Sequence, residues 1–317
     1  MQKRKLGNSD ITIAPIAFGG NVFGWTLDEK ASFEILDAFV DAGFDFIDTA
    51  DTYSHWARGN TGGESETIIG KWMKLRNNRD KVIIATKVGG APDRNDRSLA
   101  PNHIRETVES SLRRLQTDYI DLYQSHYDDL KTPFEETLKT YAELVKEGKV
   151  RWIGASNFSA ERLAQSLEIS RQNNFPAYQT LQPLYNLYER EPFEKELEAV
   201  CLENNISVIS YYSLASGFLS GKYRSENDLS KSARGEGVKK YLNERGFRIL
   251  SALDNAAEKY NTSPAAMSLA WLLAKPAVAA PIASATSRSQ LDSFTEAVQI
   301  NPDTETIALL DKASAWK

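Results

Sequence analysis

Residues Gly43–Tyr53 read G-F-D-F-I-D-T-A-D-T-Y. Phe44 to Ile47 has the alternation of a buried strand and runs straight into a cluster of polar groups. Asp48 falls where that strand should end, and Tyr53 in the loop beyond it. Two later stretches finish the same way: V-I-I-A-T-K over Val82–Lys87 and Y-I-D-L-Y-Q-S-H over Tyr119–His126. A carboxylate, a phenol, an ammonium and an imidazole therefore all fall at or just past strand C-termini. In parallel α/β proteins that is where chemistry collects.

On either side of these strands the same unit recurs. Lys3–Ile13 reads as a short hairpin turned by Gly7-Asn8-Ser9-Asp10, and Ile13–Phe18 as a first apolar strand ending in Gly19-Gly20. Further strands are expected over Val150–Ala155, Tyr178–Tyr185, Ile206–Tyr212 and Ala277–Ala283. Helical spacing marks Asp28–Ala42, Glu64–Met73, Pro101–Leu115, Pro133–Lys146, a helix opened by Ser159, Pro192–Glu203 and Arg288–Val298. About eight strand–helix units result, the number that closes a parallel barrel. An open doubly wound sheet would call for G-x-G-x-x-G after an early strand, and Gly19–Gly24 reads G-G-N-V-F-G instead. Ser216–Phe247 interrupts the rhythm, and a loop of that length reads as a lid or binding segment. Pro302–Lys317 suggests a terminal helix packed over one barrel end. The expected fold is an α/β (β/α)8 TIM barrel with an N-terminal β-hairpin and a C-terminal extra helix, a single domain over residues 1–317.

Composition narrows the function. With 317 residues, 41% hydrophobic and 26% charged, the chain has the make-up of an ordinary globular protein. A net charge of -5 argues against a nucleic-acid surface. Cys201 is the single cysteine, so no intrachain disulfide can form, and the apolar E-A-V-C-L around it makes it a core residue. The charged start lacks an apolar run behind it, and no apolar stretch approaches the ~20 residues of a membrane helix. A cytoplasmic protein with no membrane partner is the expectation. The three histidines lack ligand spacing, so no metal is expected, and no G-x-S-x-G elbow is present for Ser-His-Asp hydrolysis.

Asp48, Lys87 and Tyr53 together suit a proton donor. An ammonium beside the phenol should lower its pKa, and a carboxylate keeps a buried lysine charged. His126 is placed to hydrogen-bond a substrate oxygen. Donating a proton to oxygen is half of a carbonyl reduction; the hydride must come from a nicotinamide cofactor, because no side chain supplies one. Gly154-Ala155-Ser156-Asn157, Gln182 and Tyr211 end later strands. An Asn and a Gln can grip a carboxamide, and a Tyr ring can stack on a flat heterocycle.

These residues resemble the aldo-keto reductase superfamily over nearly the whole chain. The pieces that carry the resemblance are F-I-D-T-A-D-T-Y, S-E-T-I-I-G, A-T-K, the strand-end His126, G-A-S-N, L-Q-P-L-Y-N and Y-Y-S-L-A-S-G-F-L-S-G-K-Y. The resemblance implies a hairpin-plugged barrel that reduces aldehydes and ketones, or runs the reverse reaction, with NADPH and without metal. Asp48, Tyr53, Lys87 and His126 match the catalytic tetrad. Ser156, Asn157 and Gln182 match the contacts to the nicotinamide amide, and Tyr211 the stacking ring. Ser213, Leu214, Ser216, Gly217 and Lys222 match the pyrophosphate-side loop, with Arg234 its returning arginine. Ser284, Thr286, Arg288 and Gln290 fall at the adenosine phosphate. The sequence departs from the family at Phe294, where adenine is often gripped by Asn, and at Thr286, where a Lys or Arg is usual. Arg288 is the substitute cation, and NADP with NADPH favoured over NADH is the expected cofactor. An extra stretch after Tyr53 makes His55, Trp56 and Arg58 a substrate wall, with Trp25 in a neighbouring strand-end loop. The alternative that the resemblance leaves open is a cofactor-binding regulatory subunit of the same fold with little turnover.

Overall fold

The structure, a computed structural model, describes residues 1–91 and 97–317. A two-stranded antiparallel hairpin, β1 (Arg4–Lys5) and β2 (Thr12–Ile13), precedes eight parallel strands. These are β3 (Ala17–Gly19), β4 (Phe46–Asp48), β5 (Ile83–Val88), β6 (Ile120–Ser125), β7 (Val150–Ser156), β8 (Thr180–Gln182), β9 (Ser207–Ser210) and β10 (Val278–Ala283). Each strand bonds to the next, and β10 closes the barrel between β9 and β3. The (β/α)8 TIM barrel, its hairpin and its extra terminal helix are all present.

Strand side chains alternate, so every second residue enters the barrel. Ala17, Phe46, Ala85, Leu122, Ile209 and Ala280 form a lower apolar layer with Leu6, Ile11 and Ile13 from the hairpin. The hairpin is thus a plug, pinned by Gly7 N to Ser207 Oγ and Asn8 N to Gln179 Oε1, both 2.8 Å. Two residues further along three of these strands come Asp48, Lys87 and Gln124. One period of the pleat separates a dry layer from a polar one.

The helices are α1 (Glu29–Asp41), α2 (Glu64–Arg76), α3 (Pro101–Leu115), α4 (Phe134–Lys146), α5 (Ala160–Asn173), α6 (Glu198–Glu203), α7 (Glu244–Lys259), α8 (Pro264–Leu273), α9 (Arg288–Gln299) and α10 (Thr304–Ala313). Asp28 caps α1 by accepting from Ala31 N, and Ser159 caps α5 by accepting from Arg162 N. The expected Pro192–Glu203 helix divides into a wide turn, Phe193–Leu197, and then α6. Strands are shorter than their apolar runs imply. Tyr178–Tyr185 contributes only Thr180–Gln182, because Pro183 has no amide to continue the ladder.

Ser216–Phe247 was expected to be loop throughout. Its first part is a chain of tight turns over Ala215–Ser220, Glu226–Lys231 and Gly235–Tyr241, but α7 already begins at Glu244, where Asn243 accepts from Gly246 N. The seventh barrel unit, between β9 and β10, thus carries two helices, α7 and α8. The terminal helix also differs from expectation. Rather than crossing a barrel end, α10 lies along α7, held by Lys259–Asp303 at one end and Arg245 to Ser314 O at the other. Cys201 is buried in the core, and burial pushes its thiol up to about 12.

Helix α2 approaches α3 through Gly70, where a Cβ would collide with the carbonyl oxygen of Arg114. Alanine ordinarily improves a helix by about 1 kcal/mol over glycine. Here overpacking against backbone, costing about 1–3 kcal/mol or more, should outweigh that gain. Gly70→Ala is expected to lower stability by about 1–2 kcal/mol in a denaturant titration. A more stable variant would mean that the two helices separate freely.

Candidate active site

Asp48 ends β4, Lys87 lies near the end of β5, and both are fully buried. Lys87 Nζ donates to Asp48 Oδ2 (2.7 Å), to the carbonyl of Thr49 (2.7 Å) and to Tyr53 Oη (2.9 Å). All three ammonium donors are thereby used. Tyr53 Oη lies 3.4 Å from Asp48 Oδ2, a long contact beside the 2.9 Å bond from lysine. Because Oη accepts from Nζ, its own proton can turn into the adjoining cavity.

The electrostatics depart from expectation in one respect. The Tyr53 phenol is held well above its ordinary pKa, by burial first and by the Asp48 carboxylate second. Lysine was expected to lower it. Asp48 already partners that ammonium, so the phenol faces an ion pair rather than a bare cation. Burial pulls the Lys87 pKa down against the opposing pull of Asp48. A buried ion pair survives when its remaining lone pairs are also satisfied. Here Asp48 Oδ1 accepts from Gln182 Nε2 (2.8 Å) and Gln124 Nε2 (3.2 Å).

His126 follows β6, its amide bonded to Val88 O and its carbonyl accepting from Asn157 Nδ2. Its ring lies edge-on to Tyr53 at 6.1 Å and stacks on Tyr127 at 4.9 Å. Gly90 leaves room for it; a Cβ there would meet Nδ1. Burial, then Lys87 and Arg97, keep the imidazole well below its ordinary pKa, hence neutral.

Tyr53 and His126 open onto a cavity of about 780 Å³ at the strand C-termini. Of the expected cofactor residues, Ser156, Asn157, Gln182, Tyr211, Ser213, Leu214, Ser216, Gly217, Lys222, Arg234, Ser284, Thr286 and Gln290 line it. Tyr211 Oη donates to Asn157 Oδ1 (2.8 Å), and Ser156 Oγ donates to Gln182 O. Thr286 N donates to Gln290 Oε1. Arg288 is exposed in the first turn of α9 and is not among the lining residues. Lys222, Lys231 and Arg234 line the cavity, and among the described lining residues there is no carboxylate. That donor set fits an anionic dinucleotide. Phe294 fills part of the wall while packing on Phe18, Phe39 and Phe44.

On the other side, His55 and Trp56 line the cavity beside Tyr53. Trp25 stands behind, edge-on to Trp56 at 5.8 Å, with the Arg234 guanidinium 5.4 Å from its ring centre. Arg58 is exposed and not brought to the wall. Among the described residues no cluster of His, Cys, Asp and Glu could hold a metal, and no helix is long and apolar enough to cross a membrane.

Gln124 and Asn21 are among the site residues that went unread in the sequence. Gln124 shares the inward face with Leu122 and His126, so counting the pleat back two residues from His126 would have found it. Asn21 had no such signal. With its amide oriented so that both ends find partners, its nitrogen donates to Gly19 O (3.1 Å) and Ser284 Oγ (2.8 Å), and its oxygen accepts from Arg234 Nη2 (3.0 Å). It links the ends of β3 and β10 to the long loop.

Comparison with known proteins agrees with this architecture. The profile of the aldo/keto reductase family matches residues 15–315. The aldo-keto reductase YhdN of Bacillus subtilis is 36% identical over 294 residues, covering 91% of this chain and 84% of YhdN. The uncharacterized oxidoreductase YrpG of the same organism is 34% identical over 318 residues, covering 98% and 95%. A probable voltage-gated potassium channel subunit beta of Arabidopsis thaliana is 31% identical over 310 residues, covering 95% and 92%.

Behind the site, Asp51 has an Oδ1 that is buried without a partner. Burial, then the charge of Glu66, push its carboxyl up to about 8, with Arg114 opposing. The folded chain therefore binds this proton more tightly than the unfolded one, whose carboxyl titrates near about 3.9. The stability it contributes is full below about pH 4 and is lost as pH rises through about 8. Asp51→Asn imitates the protonated acid. Its Tm advantage over wild type should grow between about pH 5 and about pH 8 and then level off. A difference constant with pH would show that this carboxyl does not titrate with folding.

Proposed function

The chain belongs to the aldo/keto reductase family, oxidoreductases of carbonyl compounds that generally use NAD(P)H, and on that premise we propose that it reduces aldehydes and ketones with Tyr53 as proton donor. The observation that carries this reading is the single ammonium of Lys87 bonded to both Asp48 and Tyr53. A bound nicotinamide would supply the hydride. His126, neutral and facing the cavity, donates a hydrogen bond to the substrate oxygen and orients it. The Tyr53 proton then moves to that oxygen. A phenol with a raised pKa keeps its proton at neutral pH until the oxygen becomes strongly basic. Lys87 neutralises the phenolate left behind, and Asp48 keeps Lys87 charged meanwhile.

Ser156, Asn157 and Gln182 are the groups for the nicotinamide amide, and Tyr211 the ring beneath it. Gln182 commits its Nε2 to Asp48, so its oxygen remains for the cofactor amide. Ser213, Leu214, Ser216, Gly217, Lys222 and Arg234 would hold the pyrophosphate side, and Ser284, Thr286, Arg288 and Gln290 the adenosine phosphate. Trp56 and His55 form the substrate wall, with Trp25 bracing Trp56. NADP is the proposed cofactor, with NADPH moderately favoured.

A second reading is a cofactor-binding regulatory subunit with little turnover, favoured by the similarity to a plant protein named as a potassium channel subunit beta. Steady NADPH oxidation with a simple aldehyde separates the two.

Tyr53→Phe keeps the ring and removes the proposed acid. It should cut turnover at least ~100-fold while cofactor binding, followed by fluorescence, is retained. Near wild-type reduction of aldehydes would overturn the assignment.

Cofactor choice tests Arg288. An exposed guanidinium contributes at the low end for a charged hydrogen bond. Arg288→Ala should weaken NADPH by about 1 kcal/mol, more at low salt, and leave NADH unchanged. Equal weakening of both cofactors would mean that Arg288 does not read the extra phosphate.

A further inference from the structure

His126 does not stand alone at the cavity wall. Its ring stacks on Tyr127, with 4.9 Å between centres and 17° between planes. The Arg97 guanidinium carbon stands 3.3 Å from the centre of the same Tyr127 ring. Two flat groups this close to one ring cannot share a face, so the imidazole and the guanidinium lie on opposite sides of Tyr127. The result is a column of three stacked planar groups, with a cation at its outer end and His126 at the cavity. Arg97 is only half-buried, yet its Nε is buried with no hydrogen-bond partner. The guanidinium is held over the ring by stacking, at a cost in hydrogen bonding.

We propose that Arg97 is a positioning residue for His126: by capping Tyr127 it fixes the imidazole plane at the cavity and adds its charge to the burial and the Lys87 ammonium that leave the ring a neutral donor of one hydrogen bond to a substrate oxygen. This rests on the role given to His126 above. The backbone alone does not set the ring. The Val88 and Asn157 bonds fix the amide and carbonyl of His126 but leave its side-chain torsions open. Gly90 limits the approach at Nδ1, and Tyr53 meets the ring only edge-on. Tyr127 supplies the flat surface, and a cation over its outer face makes that ring a stiffer platform.

Charge works in the same direction. Among the described residues, the charged and titratable groups facing His126 are Lys87 from β5, Tyr53 from the loop after β4, Tyr127 from its own loop, and Arg97 from the segment before α3. Two of these are cations, and a protonated imidazole would be repelled by both. Lys87 is matched by Asp48, and Arg97 makes no ion pair with another described residue.

The experiment is a pH titration of the His126 ring by NMR in the whole protein with labelled histidine. Three histidines are present, so His55→Gln and His103→Gln assign the signals. Arg97→Met keeps the length of the side chain and removes the planar cation. The His126 titration is expected to move to higher pH by about half a unit or more, as follows from losing one charge roughly 8 Å away. Arg97→Lys restores the charge without the flat fork, and should return most of that shift while leaving the ring less ordered. In parallel, the acidic limb of kcat/KM for aldehyde reduction should rise in the Met variant, with the NADPH Kd unchanged.

An unmoved His126 titration in a folded Arg97→Met protein overturns the proposal, whatever the activity. A titration that moves while the pH–rate profile stays still leaves the column standing and overturns the role of His126 in the reaction instead. Loss of activity with neither titration nor profile moved would show that Arg97 supports the loop alone.

Discussion

A lysine ammonium and an aspartate carboxylate, 2.7 Å apart and both sealed from water, set the terms for the upper half of this barrel. Each ion forfeits several kcal/mol of hydration, which their mutual attraction repays only if every other lone pair and proton finds a partner. Gln124 and Gln182 converge on one carboxylate oxygen, while Thr49 O and Tyr53 Oη take the remaining ammonium protons. Five strand ends or strand-end loops must therefore keep register for the pair to survive. A closed barrel can meet that demand, since it has no free edge along which a strand could slip.

The lower layer makes this possible. Leu6, Ile11 and Ile13 seal the strand N-termini, so the dry volume is filled from below and the polar groups are confined to one storey. Gly154 shows how closely the two storeys fit. A Cβ there would collide with Thr180 Oγ1 and stand 3.1 Å from Gln124 Cγ, so glycine opens the space in which Gln124 reaches Asp48. Strain collects at the rim rather than in the wall: Asn157, Tyr212, Ala215 and Ser216 all have positive φ without being glycine. Such backbone costs about 1–3 kcal/mol per residue and is found where the surroundings impose it.

Much of this was legible in the chain because it is periodic. Strand alternation and helix caps gave the order of units, and three strands ending in chemically capable residues gave Asp48, Lys87 and His126. What period alone could not supply was partnership. Tyr53 was legible as a phenol near an ammonium. That Asp48 already holds the ammonium, so that the phenol is pushed up rather than down, needed distances. Gln182 reads in sequence as a group for the cofactor and in space also clamps Asp48. Arg288 reads in sequence as the cation for the adenosine phosphate, and in space it is exposed in the first turn of α9, outside the cavity lining. Asn21 and Arg234, more than 200 residues apart, could be joined only by the folded chain.

The cavity has two characters, and Arg234 sits where they meet. One side carries Lys222, Lys231 and Arg234 with hydroxyls and amides around them; the other carries Trp56, Tyr127 and Tyr212. A basic wall selects charge and tolerates water, whereas an aromatic wall selects flat apolar shape and excludes it. Arg234 serves both. Its guanidinium takes the Asn21 oxygen on the polar side and lies over the Trp25 ring, whose edge contact with Trp56 leads to Tyr53. Burial lowers its pKa, a sign that its charge is poorly solvated. The polar and the aromatic sides of the cavity therefore meet at one guanidinium, held between the Asn21 amide and the Trp25 face.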